Sequence, residues 1–164
     1  MDEDPASPGY GTEVATPPLT AVVGGWLARA DGSVGRFEAN PAYEPTGPGS
    51  PTDPLDAALR LAARAEADFD QVAAVLRESA FSVALDVDQE PLVAQSPDNV
   101  PCLLVVTAPA HRNRVRAAGW QPASAEDLLP LLSAHEGTDL LLNPGAPGCT
   151  RLLADTVRAA VVEG

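Results

Sequence analysis

The chain has 164 residues, enough for one domain and a tail, and is 45% hydrophobic but only 4% aromatic, so a core of Leu, Val and Ala is expected. Twenty-three acids against ten bases give a net charge of −13, and every base is arginine. That field repels phosphate backbones and anionic bilayers, which argues against general nucleic-acid binding and membrane-surface attachment; it attracts basic partners, and its ordinary role is solubility.

Residues 1–18 are acidic and proline-rich, which predicts a disordered tail ahead of a single domain over 19–164. The opening order is the reverse of a signal peptide, and no run approaches the roughly 18 apolar residues of a spanning helix. The expectation is a reduced, cytoplasmic protein. Asp31-Gly32 between two strand-like runs predicts a two-residue hairpin turn. That register sets Trp26 opposite Phe37, with Ala28 and Gly35 next on the same face, a face that can be buried. Arg29 and Arg36 fall on the other face with Leu27 and Val34.

The proline-rich stretch 41–54 reads as a loop. It leads into "TDPLDAALRLAARA", where Thr52 or Asp53 can cap, Pro54 suits the first helical position, and Leu55, Leu59 and Ala62 share a face. Asp68 with Gln71 marks a capping box for a second helix, with Val72, Val75 and Leu76 as its apolar stripe. The two short helices are expected to pack together. "AFSVALDVDQEPLVAQ" reads as a second hairpin on the alternation of Phe81, Val83 and Leu85. "VPCLLVVTAP" is a continuous apolar run, as in a central strand covered on both faces. Ser124 caps a short helix that Pro130 limits or kinks. "TDLLLN" is expected as the last strand, and "TRLLADTVRAAVV" as the closing helix with Thr150 as cap. The order gives an α+β fold: one mixed sheet with helices on it.

The chemistry-bearing patterns are sparse. In "NPGAPG", Gly145 and Gly148 lack Walker spacing and the chain has no lysine; the loop also follows the last strand, not the first, so neither nucleotide fingerprint fits. It reads as a strand terminator, followed by a helix start whose free amides can meet a carboxylate. His111 and His135 have no second ligand at readable spacing, so no metal site is expected, and both read as surface residues. Cys102 reads as a small buried hydrophobe and Cys149 as a loop thiol, with no disulfide framework. There is no nucleophile elbow; Ser124 reads as a cap and Ser82 as a strand residue. Asp86 with Asp88, and Glu126 with Asp127, are acid pairs expected by chance at this composition. No catalytic or cofactor-binding residue is nominated. Arg112, Arg114 and Arg116 form the one basic cluster, either a solvated run pairing with nearby acids or a docking spot for an acidic partner or the chain's own tail.

Taken in order, "GWLARADGSVGRFEANPAY", "PTDPLDAALRLA", "PCLLVVTAPAH", "AGWQPASAEDLLPLL" and "LLLNPGAP" resemble actinobacterial type VII secretion system-associated proteins. The C-terminal half is similar to the domain named for enhanced serine sensitivity protein B (SseB-like). In that pattern Thr107-Ala108, Trp120, Asp127-Leu128-Leu129 and Asn143-Pro144-Gly145 fill the motif places, and Trp26 and Phe37 mark the hairpin. The arginine cluster lies outside it. The resemblance implies a non-enzymatic cytoplasmic accessory protein with no cofactor, an adaptor or chaperone-like module for a secretion component or substrate. In such substrates a Trp-x-Gly turn and a Tyr-x-x-x-Asp/Glu signal are expected. Here Trp26 and Trp120 are not followed by that glycine, and Tyr10 and Tyr43 lack the acid, so the chain is not read as cargo. Two other readings stay open: an enzyme with dispersed active-site residues, and a structural remnant without a specific partner.

Overall fold

The computed structural model describes residues 15–162. The expected disordered tail therefore lies largely outside the described residues; residues 15–18 are irregular and exposed.

A two-stranded ribbon comes first. After a 3-10 turn at Leu19–Ala21, β1 (Gly24–Ala28) pairs antiparallel with β2 (Val34–Ala39), and Trp26 faces Phe37 as the alternation predicts. The turn is longer than two residues. Arg29 N–H donates to Ser33 O (2.9 Å), Gly32 N–H donates to Arg29 O (3.0 Å), and Gly32 sits at φ 82°. Ala30, Asp31 and Gly32 thus form a three-residue loop with glycine in the left-handed region. The Asp31 carboxylate stabilises it by accepting from the N–H and O–H of Ser33 (2.9 and 2.7 Å). The extra residue puts Val34, not Gly35, opposite Ala28.

Two helices follow where their caps predict them. Asp53 accepts from Asp56 N–H at the start of α1 (Pro54–Ala63), with Pro54 in the first turn. Asp68 and Gln71 form the reciprocal capping box of α2 (Phe69–Glu78), which packs against α1.

The main sheet holds β3 (Ala80–Leu85), β4 (Val93–Gln95), β5 (Pro101–Val106), β6 (Gly119–Ser124), β7 (Asp139–Leu142) and β8 (Thr150–Leu152). Its order is β6-β3-β5-β7-β8, with β4 also beside β5; β5 and β7 run parallel and the other pairs antiparallel. The fold class is α+β, as the element order predicts. The expected second hairpin forms at its turn, where Asp86 N–H donates to Glu90 O (2.9 Å) and Leu92 N–H to Ala84 O (2.8 Å), and its strands fork beyond it. β3 and β4 bridge at Leu85 and Pro91, then part, β3 pairing the C-terminal half of β5 and β4 its N-terminal half. β6 has no counterpart among the sequence expectations; it is an edge strand, where Pro122 is tolerated.

Helix α3 (Ala125–Ala134) begins with a Ser124–Asp127 capping box and runs on past Pro130 to Ala134. The closing helix starts later than expected. Thr150–Leu152 is a strand against β7, drawn there by Arg151, which pairs with Asp139 (2.6 Å) and Asp98 (2.7 Å). β7 is therefore not the last strand, and Thr150 is not a cap. α4 (Ala154–Val162) instead begins with Ala154 N–H donating to Asp139 Oδ1 (2.8 Å).

The helices cover one face of the sheet. Leu55, Leu76, Val83, Leu103, Leu128, Leu140 and Val157 belong to that core. Ala84, Cys102, Leu104 and Leu141 line the other face, under Leu92, Val115 and Trp120. β5 is buried on both faces, as its continuous apolar run predicts. No helix among the described residues is long and apolar enough to cross a membrane.

Candidate docking cleft and the polar junction beneath it

The C-terminal ends of the parallel strands β5 and β7 meet the N-terminus of α1, and a polar junction is buried there. Thr52, Asp53, Asp56, Thr107, His111 and Asn143 are its members. Asp53 Oδ1 accepts Asp56 N–H (2.9 Å), while its Oδ2 accepts the hydroxyls of Thr52 (2.8 Å) and Thr107 (2.5 Å). Asn143 clasps Thr107: its Oδ1 accepts Thr107 N–H, and its Nδ2 donates to Thr107 Oγ1, both at 2.9 Å. Asn143 adopts φ 51°, a left-handed conformation that Asn tolerates better than most residues. Asp56 accepts from Thr52 N–H and Arg60 Nε, each at 3.0 Å, and Arg60 Nη1 reaches Pro48 O (2.6 Å). Gly148 lies so close that a Cβ there would overlap Asp56 Oδ1.

The proton count fixes the tautomer of His111. Thr52 gives its single proton to the Asp53 carboxylate, the stronger acceptor, so the 2.8 Å contact between Thr52 Oγ1 and His111 Nε2 has the ring N–H as donor. His111 Nδ1 is then a bare acceptor, buried and without a hydrogen-bond partner. Burial pushes the His111 pKa down, against the pull of Asp56 and Asp53. The surface placement expected for this histidine is wrong: it is 4% exposed. His135 is half-buried, with Nδ1 2.9 Å from Leu131 O.

Above this junction lies a cleft of about 690 Å³ between the β1–β2 ribbon and the sheet body. Trp26 and Phe37 wall it on the ribbon side, their rings edge-to-face at 5.0 Å and 65°. Val75 of α2, Phe81 of β3 and Pro122 of β6 wall the other side. Trp26 remains 60% exposed, so the aromatic face that the alternation allowed to be buried is open to the cleft and to solvent. Asp53 and Thr107 connect the cleft to the junction; Ser79, Ser82, Arg112, Glu38 and Glu78 are its other polar residues.

The arginine cluster is split by the 3-10 turn at Pro109–Arg114. All three side chains are exposed, but only Arg112 lines the cleft. Its Nη2 donates to Ser82 Oγ (2.9 Å), and its guanidinium carbon lies 5.6 Å from the Trp120 ring centroid. Arg114 donates to Gly145 O (3.3 Å), away from the cleft. Arg116 makes no side-chain hydrogen bond or ion pair among the described residues. Trp120 supports Arg112 from the second core face, and Asn143 ties β7 to β5. Pro144 and Gly145, the latter at φ 73°, turn the chain so that Ala146 N–H donates to Asn143 O (3.0 Å). No helix start follows that turn: β8 does, and the first amide of α4 is already bonded to Asp139.

Cys102 is buried and Cys149 half-buried, both are free, and burial raises both thiol pKa values. Among the described residues, no group of three or more His, Cys, Asp or Glu side chains is arranged to hold a metal ion. The residues that form the junction come from three distant stretches; Thr52 and Asp53 carried a signal as helix caps and Asn143 as part of a turn, but nothing in the sequence brought them together with Thr107 and His111. No protein-family model, curated protein or solved structure matches the chain.

Proposed function

We propose that the protein is a non-enzymatic binding module that docks an extended segment of a partner protein in the cleft between the ribbon and the sheet body. The observation that carries this reading is the cleft, whose apolar walls and few fixed polar groups are what binding sites share. The chemistry below it favours binding over catalysis. Asp53 already accepts from three donors, and the Thr107 hydroxyl is held between Asp53 and Asn143, so this pair is committed to the fold. The motif order that resembles type VII secretion-associated proteins supplies the biological setting: a cytoplasmic accessory whose partner is a component or substrate of that apparatus.

The test is affinity purification of the tagged protein from its own cells, beside a Trp26→Ala/Phe37→Ala variant shown to be folded by circular dichroism. Secretion components or substrates recovered with the wild type and lost with the variant would support the proposal. Equal recovery by both proteins, or recovery of no specific partner, would sink it.

A further inference from the structure

We infer that the segment taken by the cleft carries one side-chain carboxylate, Asp or Glu, and that Arg112 reads it. This rests on the binding-module reading above and names the chemistry of its occupant. Arg112 is the arginine that lines the cleft. Arg60, Arg151 and Arg158 form ion pairs; Arg112 is among the arginines that form none among the described residues. It is nonetheless held in place, by Ser82 on one side and the Trp120 ring on the other. A guanidinium has five N–H donors in a planar fork suited to a carboxylate, and Arg112 makes one side-chain hydrogen bond among the described residues.

The net charge of −13 opposes an acidic ligand, and the two effects must be weighed. Charges more than about 8 Å away are largely screened at physiological salt, whereas a carboxylate in contact with Arg112 is not. The contact therefore decides the preference at that point in the cleft. Glu38 and Glu78 also line the cleft, so a run of acids would be repelled. What fits is a mainly apolar segment with a single acid.

The experiment is selection of random twelve-residue peptides displayed on phage against the full-length protein, with Arg112→Gln, Arg112→Lys and Trp26→Ala as comparators of verified fold. Enriched peptides are expected to combine large apolar residues with one Asp or Glu. They should bind Arg112→Gln at least tenfold more weakly, recover part of that loss in Arg112→Lys, and weaken in Trp26→Ala. Peptides that need Trp26 but carry no acid, carry basic residues instead, or bind Arg112→Gln as well as the wild type would overturn the carboxylate inference and leave the cleft as a docking site. Absence of any peptide sensitive to Trp26 would overturn both.

Discussion

Thr107 Oγ1 and Asp53 Oδ2 are 2.5 Å apart, a single hydrogen bond that joins the end of β5 to the first residue before α1. Asp53 is also the cap of that helix, so one carboxylate fixes a helix start, a strand end and a wall of the cleft. The consequence is a site whose floor is built by fold-defining bonds.

Replacing Thr107 by Val keeps the shape and removes the donor to a buried carboxylate. A hydrogen bond to a charged group is worth about 1.5–3 kcal/mol, and Thr107→Val is expected to lose stability in that range by urea unfolding. Thr107→Ser should retain most of it. A Val variant as stable as the wild type would show that the bond contributes nothing net.

The pH dependence follows from His111. Burial holds its folded pKa below the ordinary value of 6.5, so the unfolded chain takes up a proton that the folded protein resists. Stability from this group is complete above pH 6.5 and declines as pH falls below it. Asp53 and Asp56 act against the shift, and Arg114 and Arg60 reinforce it. Unfolding midpoints measured between about pH 7.5 and 5.5 should fall toward acid for the wild type. The slope should be shallower for His111→Gln, which keeps an N–H donor for Thr52. Parallel curves would show that His111 is not the titrating group.

Gly148 packs on the Asp56–Arg60 pair, where a methyl group has no room. Gly148→Ala is expected to cost on the order of 1–3 kcal/mol through forced displacement of that pair. Gly47→Ala, where an added Cβ meets nothing, is the control and should leave the thermal midpoint nearly unchanged.

What the sequence displayed and what it hid divide along physical lines. β5 was legible because burial on both faces demands an unbroken apolar run, and α1, α2 and α3 because Asp53, Asp68 and Ser124 cap locally. β6 was hidden because an edge strand accepts Pro122 and needs little apolar content. β8 reads as helix in the sequence because its three residues continue the periodicity of α4; the carboxylate that bonds the first amide, Asp139, stands on another strand. The junction was illegible for the same reason. Thr52, Thr107, His111 and Asn143 are ordinary residues whose meaning lies in contacts across 36 to 59 positions of chain.

Trp26 offers a contrast between binding and stability. It is exposed, and its main local contact is the edge-to-face packing with Phe37, an arrangement worth about 0.5–1.5 kcal/mol. Trp26→Ala should therefore cost less in urea unfolding than truncation of a fully buried residue, while weakening peptide capture. Leu103→Ala, at a fully buried site in β5, should lose about 2–5 kcal/mol.

The ribbon shares no strand pairing with the six-stranded sheet. Its flanks are bonded internally: Asn40 N–H to Val23 O, Glu44 N–H to Thr20 O, and Asn40 Nδ2 to Leu19 O and Val22 O. Lifting it away breaks no main-sheet ladder bond. The two units should consequently exchange amide hydrogens on separate clocks, fast and ligand-sensitive in the ribbon, slow and ligand-indifferent in β5 and β7. An occupant seated between them would slow the first clock alone.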